Sequence, residues 1–426
     1  MSGIRQNNYA VPAFLLAFIF CGAIVGETVS LSLIVTTVGS GILSRMYLIN
    51  GLMLLGLPLL FFNHIDRVER GKLLSVQLFT VTVILSAISL ILMFSIRSES
   101  VWVKSLLFIL YPLSYLSKTT LFLTFWTLAN DIFTTNESKK AFPVISAWGF
   151  AGGLSGACMS RLLVEIAPAE LVLAVWTVSY GVAFVFSLKT RSHFSRKLLH
   201  TEEVQNHASG ILENVESVLT SKLVRLIAVL YFFIFIAVFS VDYLFWNKSH
   251  EWFTTSASIA SFQFSFYLVH AIITIAGLWF LLPGLISRLG FSRILYVLPM
   301  ILTTGGVILL ILHKTTGGKT FFALFVLFQI LRYVAFENAF SPIYQMFFAA
   351  IEKEKRGRAK TMLDGIVKPA AIIASGLILI VIGGSTEIIL FLILLCGMVL
   401  LFTAFQIRRT YSASLIPVNK RYLDSQ

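Results

Sequence analysis

Apolar stretches long enough to cross a membrane recur along the whole chain. Of its 426 residues, 57% are hydrophobic and only 12% are charged. The mean hydropathy of +0.88 lies well above that of soluble domains. Because a helix rises 1.5 Å per residue, about 20 apolar residues cross the hydrocarbon core of a bilayer. The pattern therefore predicts an all-α, polytopic membrane protein.

Twelve transmembrane helices are predicted, in two six-helix repeats. The predicted spans lie near residues 10–35, 43–63, 73–95, 101–129, 142–165, 169–188, 223–247, 257–285, 293–312, 320–349, 362–383 and 386–407. We accordingly predict an N-terminal six-helix half at 1–188, a cytoplasmic linker at 189–222 and a C-terminal six-helix half at 223–426. Periodic apolar residues between Ile211 and Leu219 predict an amphipathic surface helix within the linker.

The distribution of Lys and Arg predicts the orientation. Most of these residues fall in the terminal segments and loops that share one side with the N-terminus. Under the positive-inside rule both termini are cytoplasmic, and the protein lies in the inner, cytoplasmic membrane. The net charge of +13 follows from this bias and from contact with anionic lipid, so nucleic acid is not a predicted partner. We expect a monomer in the lipid bilayer.

Two pairs of charges within the spans share one spacing. Glu27 and Asp242 are 215 residues apart, and Lys118 and Arg332 are 214 apart. A charge at membrane depth costs about 3 kcal/mol or more, so it persists where it faces a partner or a watery cavity. Acid matches acid and base matches base in two halves of the chain. This is the pattern of a duplicated transporter with its site between the repeats.

The loop between spans 2 and 3 carries an acidic and then basic pattern. Asp66 and Arg67 are followed by Arg70 and Lys72, with Glu69 between them. This loop resembles the D-R-x-G-R-[KR] signature of the major facilitator superfamily, in which a glycine is usual at the position of Glu69. A second copy, 221 residues after Arg67, retains basic residues and a glycine in the sequence SRLGFSR.

A narrower resemblance covers residues 122–163 and 325–384. The stretches FWTLANDIFTTNESKKAFPVISAWGFAGGLSG and SPIYQMFFAAIEKEKRGRAKTMLDGIVKPAAIIASG are similar to matching regions of the ATP:ADP antiporter family and its shorter bacterial relatives. The resemblance implies twelve spans and exchange of nucleotides or related anions. The first span departs from that family, because it carries Glu27 and no basic residue.

The resemblance implies that spans 1, 4, 7 and 10 line a central cavity, and these spans carry the four matched charges. We predict that Lys118 and Arg332 meet near the membrane midplane and clamp a phosphate or carboxylate. Glu337 and Lys368 are further substrate-binding candidates. The alternative is that these charges form interhelical ion pairs.

The acids have a separate predicted role in coupling or gating. Glu27 and Asp242 lie nearer the outer face, where each either carries a proton or acts as a latch held ionised by a neighbouring cation. Loop charges with a predicted role in gating are Asp66, Arg67, Arg288, Glu137 and Glu354.

Glycines predict close helix packing in span 5. Gly149, Gly152, Gly153 and Gly156 form overlapping small-xxx-small steps, which let helix backbones approach in lipid. We predict a sliding interface between the two halves at this helix.

The sequence disfavours an enzyme, a cofactor or a metal site. The stretch GGKT at 317–320 imitates the end of a Walker A loop but lacks its first glycine, and three scattered cysteines give no metal pattern. We therefore predict a secondary transporter for an organic or phosphorylated anion, such as a nucleotide. The alternatives are a proton-coupled facilitator for a neutral or cationic solute and a non-transporting lipid-handling or sensory protein.

Overall fold

The protein is described from a computed structural model. It describes residues 9–65, 69–95, 101–133, 135–199, 221–277, 280, 288, 291–341, 343–344, 359–360 and 362–423. Only the backbone is described at 57–65, 93–95, 101–104, 130, 135–140, 143, 169–170, 195–199, 291–292 and 411–423. The predicted linker helix at Ile211–Leu219 lies outside these residues.

Within the described residues, each of the twelve predicted spans overlaps a long helix. The long helices are α1 Ala10–Val38, α2 Ile42–Ile65, α3 Arg70–Ser95, α4 Val101–Ile132, α5 Thr135–Ile166, α6 Ala169–Leu199, α7 Lys222–Trp252, α8 Ser256–Ala276, α9 Val297–Thr315, α10 Gly318–Ala335, α11 Lys368–Ile382 and α12 Thr386–Leu423. A four-residue helix at Phe291–Ile294 precedes α9. Among the described residues, ten helices are long and apolar enough to cross a membrane. The fold is therefore that of a multi-pass, all-α membrane protein.

Two helices change their winding near the same part of the fold. The α10 helix continues as a π-helical turn at Phe336–Phe340, and another π-helical turn at Leu363–Val367 leads into α11. A π turn inserts one extra residue into the helical ladder and is frequent at functional sites. Both turns line the cavity described below.

The chain forms two compact units, and each unit includes one segment from the other half of the sequence. The N-terminal unit contains Met1–Ile42, Leu57–Ala208 and His250–Val269. The C-terminal unit contains Leu43–Gly56, Ser209–Ser249 and His270–Gln426. Residues 43–56 of α2 thus pack with the C-terminal unit, whereas residues 256–269 of α8 pack with the N-terminal unit. The predicted boundaries of the two halves stay a prediction.

Glycines lie at the contacts of both segments. In the C-terminal unit, a Cβ on Gly376 would lie 2.7 Å from the backbone nitrogen of Leu48, so α11 and α2 can approach only without that atom. In the N-terminal unit, a Cβ on Gly153 would lie 2.6 Å from the hydroxyl of Tyr267 on α8. Arg161 Nε also donates a hydrogen bond of 3.0 Å to Ser265 Oγ on α8.

Helix α1 lies at the centre of the N-terminal unit. Its buried residues are spread around the whole helix, as in a helix that packs on all sides. Gly22 and Gly26 leave room for the buried rings of Tyr180 and Trp176 on α6. The two aromatic side chains of α6 thus pack directly against the backbone of α1.

The glycines of α5 have a different partner from the predicted one. Gly149 and Gly152 face Leu16 and Ala17 of α1, and Gly156 faces Cys21 of the same helix. Three of the four glycines therefore fix α5 to α1 inside one unit. The prediction of a sliding interface between halves was wrong for these three, because small-xxx-small spacing indicates a close partner without identifying it.

We expect Gly152→Ala to destabilise the protein, because its Cβ would overlap the backbone carbonyl of Ala17. Backbone atoms on packed helices move less readily than side-chain tips, so the loss should be about 1–3 kcal/mol. The thermal midpoint of the detergent-solubilised protein measures it. The matched control is Gly181→Ala, whose Cβ would meet only Thr82 Cγ2 at an ordinary 3.6 Å. Equal midpoints for the two variants would contradict this packing.

Candidate functional site

An ion pair joins α1 and α4 in the N-terminal unit. Lys118 Nζ lies 2.6 Å from Glu27 Oε2. The side chains are 35% and 30% exposed, respectively. Each charged group within these apolar spans thus has a partner of opposite charge, and neither side chain is fully buried in the protein.

Serine hydroxyls brace the same two helices one turn away. The Ser30 hydroxyl lies 3.2 Å from both the backbone carbonyl oxygen of Glu27 and the hydroxyl of Ser114. Both serines are buried. Since residues three or four apart share a helix face, the brace lies beside the ion pair and restrains the separation of its two helices.

A second ion pair joins α7 and α10 in the C-terminal unit. Arg332 donates through its Nη2 to Asp242 Oδ1, and Gln329 Nε2 donates to the same oxygen at 2.7 Å. Arg332 Nε also donates to Gln329 Oε1 at 3.3 Å. The guanidinium lies 3.8 Å from the ring centroid of Tyr333. Hydrogen bonds and ring contact thus surround this cation on several sides.

The two pairs occupy matching sequence positions but differ in exposure. The side chain of Arg332 is 2% exposed, whereas that of Lys118 is 35% exposed. Lys118 is therefore partly exposed at its pair, while Arg332 is enclosed. The predicted clamp between Lys118 and Arg332 stays a prediction, since each base pairs with the acid of its own unit. The sequence spacing alone did not distinguish these partnerships.

The other predicted substrate residues lie in the C-terminal unit. Glu337 is half-buried in the π turn that follows α10. Lys368 begins α11, and its Nζ lies 5.2 Å from the ring centroid of Phe235. Lys368 also lines a cavity of about 240 Å³.

This cavity has mostly aromatic walls. It is lined by Tyr231, Phe235, Phe336, Phe340, Ser341, Tyr344, Asp364 and Lys368. Tyr231 and Tyr344 each donate a hydroxyl hydrogen bond to Asp364 Oδ1, at 2.8 and 3.0 Å. Their rings stack with centroids 4.5 Å apart and an angle of 3° between planes. The sequence predicted Lys368 as a site residue but not Asp364 or the aromatic walls, although an acid within the predicted span 362–383 was a usable signal.

The signature-like loop anchors the start of α3. Arg70 Nη1 donates to both oxygens of Asp131 on α4, at 2.7 and 2.8 Å. Glu69, at the position where a glycine is usual, accepts three hydrogen bonds from Arg191 on α6 at 2.8–3.0 Å. These pairs tie α3 to two neighbouring helices of its own unit.

Burial affects the pKa of the acid in this anchor. Asp131 lies at the end of α4, beyond its apolar span. Desolvation raises the pKa of Asp131 above its usual value, although the neighbouring Arg70 charge and hydrogen bonds lower it. As the pH falls, this carboxylate therefore loses its charge sooner than an ordinary aspartate.

The remaining predicted gating residues are described only in part. Asp66, Arg67 and Glu354 lie outside the described residues. Glu137 lies in the first turn of α5, where only the backbone is described, and Arg288 is exposed. Their gating role stays a prediction.

Among the described residues, no group of three or more His, Cys, Asp or Glu side chains could hold a metal ion. Cys21, Cys158 and Cys396 are not in disulfides.

Solved structures share this helical arrangement over nearly the whole chain. The match to a mutant of the nucleoside transporter NupG covers 95% of this chain and 99% of that one, with a TM-score of 0.68 and 13% identity. A bacterial homologue of the iron transporter ferroportin, in its inward-facing state, covers 96% and 100%, with a TM-score of 0.66 and 14% identity. The chain has the major facilitator fold.

A third transporter structure is similar over nearly the whole chain as well. The POT family transporter PepTSo covers 96% of this chain and 99% of its own, with a TM-score of 0.64 and 12% identity. No protein-family model and no curated protein matches the chain. At such low identity the structural likeness establishes the fold and leaves the solute to be argued from the site.

We expect Asp242→Asn to destabilise the protein far more than Glu27→Gln. Removing the charge of Asp242 leaves Arg332 buried with only neutral partners, and breaking a buried pair costs about 3–5 kcal/mol. Glu27 and Lys118 are about one-third exposed, so water compensates and the loss should be about 1 kcal/mol or less. Thermal midpoints in detergent compare the two variants.

A double variant separates pairing from packing at the buried site. Asp242→Asn combined with Arg332→Met removes both charges and retains a long side chain, so it should recover much of the stability lost in Asp242→Asn. A double variant less stable than the single one would contradict the interpretation that an unbalanced buried charge causes the loss.

Proposed function

We propose that this chain is a secondary transporter that moves an organic or phosphorylated anion across the membrane by alternating access. The observation that carries the proposal is the ion pair of Lys118 and Glu27 within the spans, with both side chains about one-third exposed. An accessible cation held by a carboxylate provides a site at which a solute anion can replace that carboxylate. The major facilitator fold, common to the compared transporters, supports the transport class.

Exchange of partners gives a reason for keeping charges in the spans. When no solute is bound, Glu27 balances Lys118 at 2.6 Å. When an anion binds, its phosphate or carboxylate group takes over Lys118, and Glu27 turns toward solvent or takes up a proton. The apolar region thus avoids an unbalanced cation at each stage.

Arg332 has a more indirect role in this proposal. Its enclosure by Asp242, Gln329 and Tyr333 favours a fixed cation that positions α7 against α10. A clamp in which both bases touch the solute would require Arg332 to leave this enclosure. We therefore assign the first contact with the anion to Lys118 and a positioning role to Arg332.

Two coupling modes follow from the same pair. If the solute alone displaces Glu27, the transporter reorients in both directions with an anion bound. It then exchanges one anion for another, as a nucleotide antiporter does. If a proton must first neutralise Glu27 to release Lys118, the anion moves together with a proton. Proton coupling of a neutral or cationic solute is the competing function, since Glu27 can also serve as its proton carrier.

Membrane placement and assembly complete the proposal. The Lys and Arg distribution supports the cytoplasmic membrane with both termini in the cytoplasm. We propose a monomer, with the lipid bilayer and a small anion as its partners. A non-transporting lipid-handling protein would differ by showing no uptake of any solute under either gradient.

We expect Lys118→Ala to abolish anion uptake and Lys118→Arg to retain part of it, because the solute needs a cation at this position. The measurement is uptake of a labelled panel of nucleotides, organic phosphates and dicarboxylates into proteoliposomes, with and without internal counter-substrate. Thr119→Ala is the control, since it alters the neighbouring residue on the same helix and keeps the cation.

Glu27→Gln distinguishes the two coupling modes. If Glu27 carries the coupled proton, the variant should lose uptake driven by a proton gradient. Exchange of internal for external anion should continue, because in exchange the transporter never has to reorient without a bound solute. If Glu27 only balances the charge of Lys118, the variant should keep both uptake and exchange. It should also bind the anion more tightly, because the carboxylate that competes for Lys118 is gone. Full anion uptake by Lys118→Ala would overturn the proposal, and uptake restricted to neutral or cationic solutes would favour the competing function.

A further inference from the structure

The aromatic cavity of the C-terminal unit is built around a carboxylate that has one oxygen engaged. Asp364 Oδ1 accepts hydrogen bonds from both Tyr231 and Tyr344. Oδ2 accepts no hydrogen bond from the residues that the structure describes. The hydroxyls therefore fix the orientation of the carboxylate and leave its second oxygen able to accept a donor.

The cavity walls favour a flat ligand. Tyr231 and Tyr344 stack nearly parallel, and Tyr344 also lies 5.9 Å from Phe340 at 29°. Phe235 and Phe336 complete the aromatic lining. Aromatic rings prefer offset-stacked or edge-to-face neighbours, so a planar ring in this space gains contact on several sides. A volume of about 240 Å³ suits one ring system with short substituents.

The charges in the cavity exclude other simple ligands. A purely apolar molecule would leave Asp364 without a donor for its second oxygen, which costs free energy in a confined site. A quaternary ammonium would suit an aromatic cage, but Lys368 lines the same cavity and would repel it. A ring with an N–H donor and a ring acceptor can satisfy Asp364 and Lys368 together.

We propose that this cavity is a binding site for a planar nitrogen heteroaromatic ring, with Asp364 accepting from its N–H group and Lys368 donating to its acceptor. The π turns at Phe336–Phe340 and Leu363–Val367 supply the ring wall and the carboxylate, respectively. At 1.5 Å per residue, Tyr231 lies about 16 Å along α7 from Asp242, so the site is separate from the buried ion pair. The proposal concerns binding and does not depend on whether the ring belongs to a transported solute.

Two ligands of nearly equal shape test the hydrogen bond to Asp364. Benzimidazole has an N–H donor and a ring acceptor, whereas 1-methylbenzimidazole lacks the donor. Binding of each to the full chain in lipid nanodiscs is measured by titration calorimetry, with empty nanodiscs subtracted. We expect saturable binding of benzimidazole and about tenfold weaker binding of the methylated ligand, because a hydrogen bond to a charged group is lost.

Variants locate the binding within the chain. Asp364→Asn should weaken benzimidazole binding about tenfold and remove its advantage over the methylated ligand. Phe336→Ala should weaken both ligands, because it removes one wall. Phe232→Leu on α7 does not alter a residue that lines the cavity and should leave both affinities unchanged.

Several outcomes would overturn the proposal. The first is that benzimidazole shows no saturable binding to the wild type. The second is that the two ligands bind with equal affinity, and the third is that tetramethylammonium binds more tightly than benzimidazole. The ligand comparison uses only the wild-type chain, so it stands even if Asp364→Asn fails to fold.

Discussion

A charge in an apolar span must be balanced, and this requirement organises both units of the protein. A lone lysine or arginine at membrane depth is costly, so Lys118 and Arg332 each lie against a carboxylate from another helix of the same unit. The pairing joins α1 to α4 and α7 to α10. Because ion pairs require close approach, the same contacts that neutralise the charges also hold these helices together.

The two pairs meet this requirement in different ways. Around Arg332, a neutral amide and an aromatic ring replace water, which gives a stiff and enclosed network. Around Glu27 and Lys118, both side chains stay about one-third exposed, and the brace between Ser30 and Ser114 restrains the backbone without enclosing the charges. One duplicated pattern thus gives one enclosed pair and one partly exposed pair. The proposed exchange of partners requires the second kind of pair.

Sequence predicted the helices well and the contacts less well. Apolar length sufficed to predict twelve helices, since each helix depends on local composition. Partner choice is not local: a spacing of 214–215 residues is equally consistent with base meeting base across the halves and with each base meeting its own acid. The aromatic cavity was missed for the same reason. Tyr231 and Asp364 are 133 residues apart, and tyrosines give no signal in a Phe-rich chain until the fold joins them.

Close glycine contacts and π turns divide the fold into parts that resist change and parts that can accommodate a ligand. Where α5 meets α1, and where α11 meets α2, a missing Cβ brings backbones together, and packed backbones have few alternative arrangements. The π turns do the opposite, because an extra residue per turn widens the helix and weakens its regular hydrogen bonding. Both turns border the same cavity in the C-terminal unit. A ligand ring in that cavity would therefore contact two segments whose backbone departs from a regular α-helix.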